Sequence, residues 1–523
     1  MGFSDVDFPT QNRKESTIAA LASGHNANSE NLRRQSRLLY NIVLVGLAVC
    51  RRAIRDSEIG DRLLSMARKF KKPNYEVMLK QTISLEEVLP PNHLARFVVD
   101  IIAQLDLGMI YTQYAPTGGQ PFAPEILLGL LFYGYATGVF SSRKIEKATY
   151  ESIPFRYIAS GMHPDHDTIA NFRKTFLADI QELFVQILLL AQVAEVLKLG
   201  NISLDGSKVH ADASKSKAVS YMRLTKLETQ LRQEVNELFE LGEQADQGDL
   251  QLPEGLIIED EIALREQRLA NLAEAKAVLE ARAQERYEAE MTEYEAKQRE
   301  REEKSRKTGH KPRGRKPKPP QSGPRDKDQY NFTDPDSRIM KNSTNNGFDQ
   351  HYNVQVAVEQ ESLLIVAPSL SNHPNDKREA EPTLDAISPK VGKPKAAALD
   401  YGYFSKTNIE ALEKLGIDPY IATGREPHHK SWRTFFKQMP DPPPEDASPK
   451  VKMAYKLQTE IGKAIYRLRK CTVEPVIGII KEVLGFRQFS LRGLLAAAGE
   501  WCLVCLAFNL KRMHTLYQAK GLI

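Results

Sequence analysis

The sequence predicts an α/β fold, in which a mixed sheet with helices is interrupted by a helical insertion and preceded by an all-α region. Apolar residues recur at helical spacing before residue 198. Short alternating or apolar runs, typical of strands, follow at 199–210 and again from residue 350. Between them, residues 221–303 return to the helical period. A chain of 523 residues exceeds a single hydrophobic core, so we expect several domains.

Composition and charge exclude several classes of protein. Lys and Arg number 72 against 67 Asp and Glu, a net charge of +5, and 41% of the residues are apolar, so the chain is not disordered throughout. Four Cys are too few for a disulfide framework and indicate a reduced, cytoplasmic protein. The longest uncharged stretches, Leu38–Cys50 and Trp501–Leu510, are shorter than the ~20 residues of a membrane helix. We therefore expect no membrane partner.

The first part of the chain divides into a poorly defined N-terminal extension, residues 1–80, and a helical domain, residues 81–198. In the helical domain, apolar side chains from Leu94 to Ile101 share one helix face, and Pro124 suits the first turn of another helix. After a turn at His163–Thr168, a short helix carries Asn171, Arg173 and Lys174. This pattern suits a DNA-reading helix, and an ordinary helical bundle with a solvated basic face fits it equally well.

Residues 221–303 predict a helical hairpin or short coiled coil, with a break at Gly248–Gly255. The hairpin would serve dimerisation, or would be a surface insertion packed on its own body. Residues 304–325 follow as a basic linker with nine Lys or Arg, five Pro and no acid, which predicts an extended segment. Its Arg313 and Arg315 suit the narrow minor groove of A·T-rich DNA, with a solubilising linker as the alternative.

Strand patterns at 199–220 and 326–515 predict one α/β domain split by the insertion. Residues 406–415 and those from Lys450 onward are predicted helical, and 426–449 form a proline-rich loop. The predicted strands are Ile202–Val209, Tyr352–Val358, Leu363–Val366, Lys395–Asp400 and Asp418–Ala422.

Three acids are candidate catalytic residues. Asp205 lies in the first strand of the α/β part, Asp400 ends a later strand, and Glu474 lies on a helix among cations. If they converge, three carboxylates form a hard oxygen cage for Mg²⁺ or Mn²⁺, and two such ions can catalyse phosphodiester chemistry. A strand-terminal aspartate is more often a turn former, and a solvated helix face would also carry Glu474. Val473 and Val476 beside the glutamate indicate that its helix is docked.

Several ordered motifs over residues 75–515 resemble the DDE transposases of bacterial insertion sequences, in the branch with a helical insertion after the first catalytic aspartate. Gly134–Lys144 and Pro164–Arg173 are similar to its helical DNA-binding domain, and Leu204–Lys208 to its first catalytic strand. Asn331–Met340 with Tyr352–Gln355 resembles its post-insertion block. Leu399–Phe404 resembles the block of the second aspartate, and Tyr466–Lys481 the block of the glutamate.

The resemblance implies a ribonuclease H-like catalytic domain that holds two Mg²⁺ (or Mn²⁺) ions on Asp205, Asp400 and Glu474. It implies binding to terminal inverted repeats, cleavage of double-stranded DNA, and transfer of 3′-hydroxyl ends to target DNA. It further implies a homo-oligomer on DNA, in the bacterial cytoplasm at the nucleoid. The side chains expected to contact DNA are Arg143, Lys144, Asn171, Arg173, Lys174, Arg313, Arg315, Tyr466, Arg469 and Lys481.

One departure from the family pattern concerns Arg469. Four residues separate it from Glu474 where the pattern has three, so either Lys470 takes the place of the arginine or this branch tolerates the extra residue. The alternative function is a catalytically inactive, transposase-derived DNA-binding protein. A third hypothesis is a coiled-coil scaffold built on residues 221–303. Cys502 and Cys505 have the spacing of a redox or zinc pair, but packing cysteines are favoured inside their apolar helix.

Overall fold

The structure is a computed structural model that describes residues 84–523, except 116–118, 249–251, 254, 311–313, 343–346 and 425–440. The predicted N-terminal extension, Arg313 and most of the predicted loop at 426–449 therefore lie outside the described residues.

The described chain up to Val193 contains helices and no strand. The helices predicted from the face that starts at Leu94 and from Pro124 are confirmed. The helix predicted after His163 begins at His166, earlier than expected, because the Asp165 carboxylate accepts a hydrogen bond from the Thr168 N–H at 2.7 Å and caps it. The helices are α1 (Leu85–Val88), α2 (Leu94–Ile102), α3 (Gly108–Tyr111), α4 (Pro124–Ala136), α5 (Ser142–Glu151), α6 (Ile153–Ile158), α7 (His166–Thr175) and α8 (Leu177–Val193).

The described residues form eight strands, and the later predicted strands recur with slightly different bounds. The strands are β1 (Asn201–His210), β2 (Ala218–Ser220), β3 (Gln329–Asn331), β4 (Arg338–Lys341), β5 (Phe348–Glu359), β6 (Ile365–Ser371), β7 (Ala396–Leu399) and β8 (Asp418–Ile421).

Six of these strands form one sheet around β1. On one side β1 pairs antiparallel with β5, whose other edge pairs antiparallel with β4 and β6. On its other side β1 pairs parallel with β7, and β7 pairs parallel with β8. The prediction of a mixed sheet in an α/β fold is confirmed.

The insertion leaves and re-enters the body through a two-stranded ladder of β2 and β3. Between them, α9 (Tyr221–Asp246) and α10 (Ile258–Thr308) pack together as the predicted hairpin. Their contact has a small core of its own that includes Leu224, Leu272 and Leu279. Arg265 binds Glu234 at 2.9 Å and Lys276 binds Glu228 at 3.0 Å across the two helices.

The prediction that residues 304–325 are extended was wrong at their start. Helix α10 continues to Thr308 and ends at Gly309, which has a φ of 67°. The cations there are spaced to pair with acids one turn earlier, as Lys304 does with Glu300, and cations at a helix C-terminus are favoured by its dipole. Lys and Arg residues spaced one turn after acids therefore extend α10 instead of ending it.

The helices that follow the insertion are α11 (Ala380–Asp385), α12 (Lys406–Lys414), α13 (Pro449–Lys456), α14 (Glu460–Gly478), a π-helical turn (Ile479–Val483) and α15 (Leu494–Ala519). Of these, α11 and α12 alternate with β7 and β8, and the helices predicted at 406–415 and from Lys450 onward are confirmed. Among the described helices, α15 alone is by itself long and apolar enough to cross a membrane, and α7 with α8 would qualify as one span bent by 75°. Since 67% of the apolar window of α15 is buried inside the protein, its hydrophobicity is explained by the core.

One hydrophobic core extends through the helical part, the sheet and α15. It includes Leu131 and Ile187 from the first helices, Val356 from the sheet, and Trp501 and Leu506 from α15. Residues 83–523 form one compact unit. The domain boundaries predicted inside this unit stay predictions.

A buried polar network joins the first helices to the last one. Glu500 is fully buried, and its carboxylate accepts hydrogen bonds from the Tyr135 hydroxyl at 2.9 Å and from the Ser490 N–H at 2.8 Å. Arg173 donates to the Tyr135 hydroxyl at 2.8 Å and lies 3.9 Å from Glu500. Arg173 is only 6% exposed, and its charge compensates an interior carboxylate. The expectation that it contacts DNA stays a prediction.

Removing this cation should destabilise the fold. We expect Arg173→Ala to lower the free energy of unfolding by about 3 kcal/mol, because the Glu500 carboxylate then stays buried without a cation. Urea denaturation of the full chain measures the change. The neighbouring Lys174→Ala is the matched control and should alter stability by less than about 0.5 kcal/mol, since Lys174 is exposed. Equal stability of the two variants would contradict a charge-compensating role.

Candidate active site

Asp205 lies near the middle of β1, on the central strand of the sheet. One of its carboxylate oxygens accepts a hydrogen bond from the Gly206 N–H at 2.9 Å. The other accepts from Nη1 of Arg469, on α14, at 3.1 Å. The aspartate is therefore held by its own strand and by a helix more than two hundred residues further along the chain.

The same guanidinium also binds Glu474. Nη2 of Arg469 donates to Oε1 of Glu474 at 3.1 Å, so the arginine lies between the two acids. Arg469 is 6% exposed, whereas the Glu474 side chain is 48% exposed. Lys470 is exposed. The extra residue between Arg469 and Glu474 therefore does not remove the arginine from the acids.

Helix α14 is fixed on β1 by polar and apolar contacts. The hydroxyl of Thr472 donates to that of Ser203 at 2.8 Å, and both side chains are buried. Val473 and Val476 are buried in the main core. The prediction that this helix is docked is confirmed, and the docking places Arg469 between Glu474 and Asp205 of the central strand.

Asp400 immediately follows β7, next to β1. The parallel register pairs Leu204 with Leu399, so Asp205 and Asp400 are the next residues on two adjacent strands. Asp400 caps a short 3₁₀ turn, Tyr401–Tyr403, by accepting a hydrogen bond from the Gly402 N–H. Its charge is close enough to shift the pKa values of Asp205 and Arg469. The structure thus brings all three predicted acids to one region.

The electrostatics of this region are dominated by burial. Burial raises the pKa of Asp205 to about 6, against the lowering effect of Arg469 and of the Gly206 hydrogen bond, and the charges of Asp400 and Asp376 raise it further. For Arg469, burial acts to lower the pKa, but the Asp205 charge and its neighbours raise it overall. A concentration of negative charge is therefore held in a half-buried position by one cation.

The donor chemistry suits a hard divalent cation, because all three candidate ligands are carboxylates. In the described part of the chain, however, no group of three or more His, Cys, Asp and Glu side chains is arranged to hold a metal ion. Arg469 instead provides the positive charge between Asp205 and Glu474.

Two further candidates lie near the acids. Tyr466 is one turn before Arg469, whose guanidinium carbon is 5.8 Å from the centre of the tyrosine ring. Lys481 was expected to hold a phosphate, but its ammonium donates to the Ser207 hydroxyl and the Lys208 carbonyl oxygen at 2.6 Å each. Burial lowers the pKa of Lys481 to about 8. Lys481 therefore ties the end of the helical segment to β1.

The remaining candidates for DNA contact lie on other elements of the chain. Arg143 and Lys144 are exposed in the first turn of α5, and Asn171 and Lys174 are exposed on α7. Arg315 is exposed in the basic linker.

Two further acids and the two cysteines of α15 support the fold. Buried Asp334 accepts hydrogen bonds from the Tyr352 hydroxyl and the Gly493 N–H, and Asp336 accepts from the Leu494 N–H at the start of α15. Cys502 and Cys505 are buried, and burial raises the pKa of the Cys502 thiol to about 12. The packing interpretation of these cysteines is confirmed.

Sequence reasoning missed one acid, Asp376. It lies in a 3₁₀ turn, Asp376–Arg378, after β6, and accepts hydrogen bonds from Asn353 and Gln355 of β5. The signal available was its place in an Asn-Asp pair shortly after a predicted strand. That signal is weak, since such pairs usually form turns.

Two known families match parts of the chain. Residues 83–175 match a family described as a transposase domain, and residues 444–514 match one described as a transposase DDE domain. No curated protein and no solved structure matches the chain. Both matches are to transposase domains and indicate a transposase, a class of protein that acts on DNA. The second match includes Arg469 and Glu474 and supports a DDE transposase of an insertion sequence, a family that uses divalent metal ions.

The raised pKa of Asp205 gives a prediction about stability. The unfolded carboxyl ionises near 3.8 and the folded one near 6, so the folded state binds more protons between these values and loses stability as the pH rises through them. We expect Asp205→Asn to raise the free energy of unfolding at pH 8, by up to about 3 kcal/mol.

Unfolding by urea at pH 8 and at pH 4, in buffer with a chelator, tests this. The advantage of Asp205→Asn should vanish at pH 4, which serves as the internal control. A variant less stable than the native chain at pH 8 would mean that the attraction of Arg469 outweighs burial.

Proposed function

We propose that this chain is an active DNA transposase, whose Asp205, Asp400 and Glu474 catalyse cleavage and strand transfer at the ends of its element. The observation that carries the proposal is the shared guanidinium of Arg469, which contacts Asp205 and Glu474 at 3.1 Å each. Asp400 is the third acid, and it follows β7 at the position next to Asp205 on β1. A mixed sheet with these positions supports the ribonuclease H-like assignment.

Asp205, Asp400 and Glu474 would hold the divalent ions, Mg²⁺ or Mn²⁺, two in number. Bound there, the ions would activate the attacking water or 3′-hydroxyl and stabilise the leaving oxygen. Because Asp205 is half-buried, few water molecules can compete for its carboxylate. In the protein without metal ions, Arg469 offsets the repulsion between the carboxylates of Asp205 and Glu474. Tyr466 and Arg469 would contact backbone phosphates next to the cut, and Lys481 would keep α14 in register with β1.

The helical region would bind the terminal inverted repeats through the exposed side chains of Arg143, Lys144, Asn171 and Lys174. Arg315 would add a contact from the basic linker, with Arg313 beside it in sequence. Joining two ends and a target requires that more than one subunit act on the DNA, so we propose a homo-oligomer on DNA. A protein of this function would work in the bacterial cytoplasm at the nucleoid.

An inactive DNA-binding descendant is the alternative, supported by one observation: an arginine lies between two of the acids where an active enzyme needs a metal ion. The scaffold hypothesis is less well supported, because α9 and α10 bury their leucines against each other.

Cleavage of a duplex that carries the element's end, in Mg²⁺, tests the proposal. We expect Asp205→Ala, Asp400→Ala and Glu474→Ala each to lower the rate at least about 100-fold, the scale of losing a charge-stabilising group in an active site. Asp212→Ala, which removes a partly exposed aspartate paired with Arg492, is the control and should cut normally. Wild-type rates in all three variants would end the assignment. A native chain that shifts DNA without cutting it would favour the inactive binder.

Salt dependence tests the DNA contacts. Each phosphate contact that is lost should reduce the slope of log K against log salt by about 0.9, because one fewer counterion is released. We expect this change for Lys174→Ala and for Lys144→Ala, measured by fluorescence anisotropy on the same duplex. Lys414→Ala, at the exposed end of α12, is the control. Parallel salt plots for all variants would remove α5 and α7 from the interface.

A further inference from the structure

A hydrogen-bonded chain connects the strand of Asp205 to the turn of Asp400 and begins at Asp376. Oδ1 of Asp376 accepts hydrogen bonds from Nδ2 of Asn353 at 2.8 Å and from Nε2 of Gln355 at 2.9 Å. Both donors lie on β5 and are fully buried. Asp376 thereby orients the Gln355 amide, because its nitrogen must face the carboxylate.

The other end of the Gln355 amide binds the turn after β7. Its Oε1 accepts a hydrogen bond from the hydroxyl of Tyr403, which is buried. Tyr403 is the last residue of the 3₁₀ turn that Asp400 caps. A backbone N–H of that turn, at Gly402, donates to the Asp400 carboxylate. The position of the Tyr403 ring therefore sets the position of this turn.

Gln355 also lies directly against the strand of Asp205. It pairs with Gly206 in the antiparallel register of β1 and β5. A Cβ at position 206 would lie 2.8 Å from Oδ1 of Asp376 and closer still to the Gln355 amide, so a larger residue there would displace these side chains. The chain of hydrogen bonds thus passes directly over Gly206, the residue next to Asp205.

Charge compensation at the head of this chain comes from Lys208. Its ammonium lies 3.9 Å from Oδ1 of Asp376 and, among the described residues, has no hydrogen-bond partner. Lys208 projects from β1 three residues after Asp205 and pairs with Asn353 in the sheet. Asp376 is therefore tied to β1, the strand that carries Asp205.

We propose that Asp376 is a positioning residue, which fixes the spacing of Asp205 and Asp400 through Gln355 and Tyr403. This inference rests on the proposed function, since the spacing matters for two carboxylates that share metal ions. A competing role, direct coordination of an ion by Asp376, predicts different behaviour of the same variants.

Four variants, a control and a binding measurement separate these roles. Mn²⁺ binding to the full chain is followed by electron paramagnetic resonance without DNA, and cleavage is measured against Mg²⁺ concentration. We expect Asp376→Ala and Tyr403→Phe each to raise the Mn²⁺ dissociation constant and the half-maximal Mg²⁺ concentration about 10-fold. Because both act through Gln355, the double variant should also lose about 10-fold rather than the product of the two losses.

Asp376→Asn is the conservative variant. Its side-chain oxygen still accepts a hydrogen bond from Gln355, so it should recover most of the loss. Direct coordination would instead make Asp376→Asn as defective as Asp376→Ala and leave Tyr403→Phe without effect, which would overturn the proposal. Asp385→Ala, an exposed acid at the end of α11, is the matched control.

Melting curves exclude a general loss of structure. The proposal requires variants with raised metal constants to melt within about 4 °C of the native chain. Loss of activity in proportion to melting temperature, with unchanged metal constants, would overturn it. Failure of the proposed function is distinguishable, because the native chain would then not cleave, or Asp205→Ala would cleave as fast as the native chain. Failure of this inference alone leaves the native chain active, Asp205→Ala inactive and the other variants unchanged in Mn²⁺ affinity.

Discussion

Arg469 donates one hydrogen bond to a carboxylate on a strand and another to a carboxylate on its own helix, and the whole candidate site depends on this sharing. Asp205 and Glu474 would repel each other in a half-buried region, and burial alone already disfavours the charged aspartate. A planar guanidinium with several N–H donors can bind both acids at once, which an ammonium group cannot do in the same geometry.

The guanidinium can bind both acids because the surrounding contacts hold α14 in place against β1. The Thr472–Ser203 hydrogen bond and the buried valines of α14 fix the helix on β1, and Lys481 repeats the attachment seven residues after Glu474. Glu500 ties α15 to the first helices through Tyr135 and Arg173. Polar groups in the interior thus determine how helices meet the sheet, within a core whose bulk is apolar.

Sequence patterns predicted most of the elements because these depend on nearby residues. The face from Leu94 to Ile101 carries a helical periodicity, and the alanine run before Asp400 is a short apolar run typical of a buried strand. Three acids in ordered motifs led to the prediction of the candidate site. What the sequence could not show depends on partners far along the chain. Arg173 is basic in sequence but compensates Glu500, and Asp376 acquires significance only when β5 brings Gln355 beside it. The end of α10 was missed because its charges favour helix through pairs one turn apart.

The ladder of β2 and β3 has a consequence for how such a chain can change. Its two strands run side by side, about 4.8 Å apart, so the points where the hairpin departs and returns are neighbours. Whatever stands between two adjacent, fixed attachment points can be lengthened, shortened or exchanged without moving the strands that bear the acids. Proteins descended from one ancestor can therefore differ greatly in the length of this hairpin while keeping the same candidate active site. The hairpin tip is a suitable place to insert a reporter.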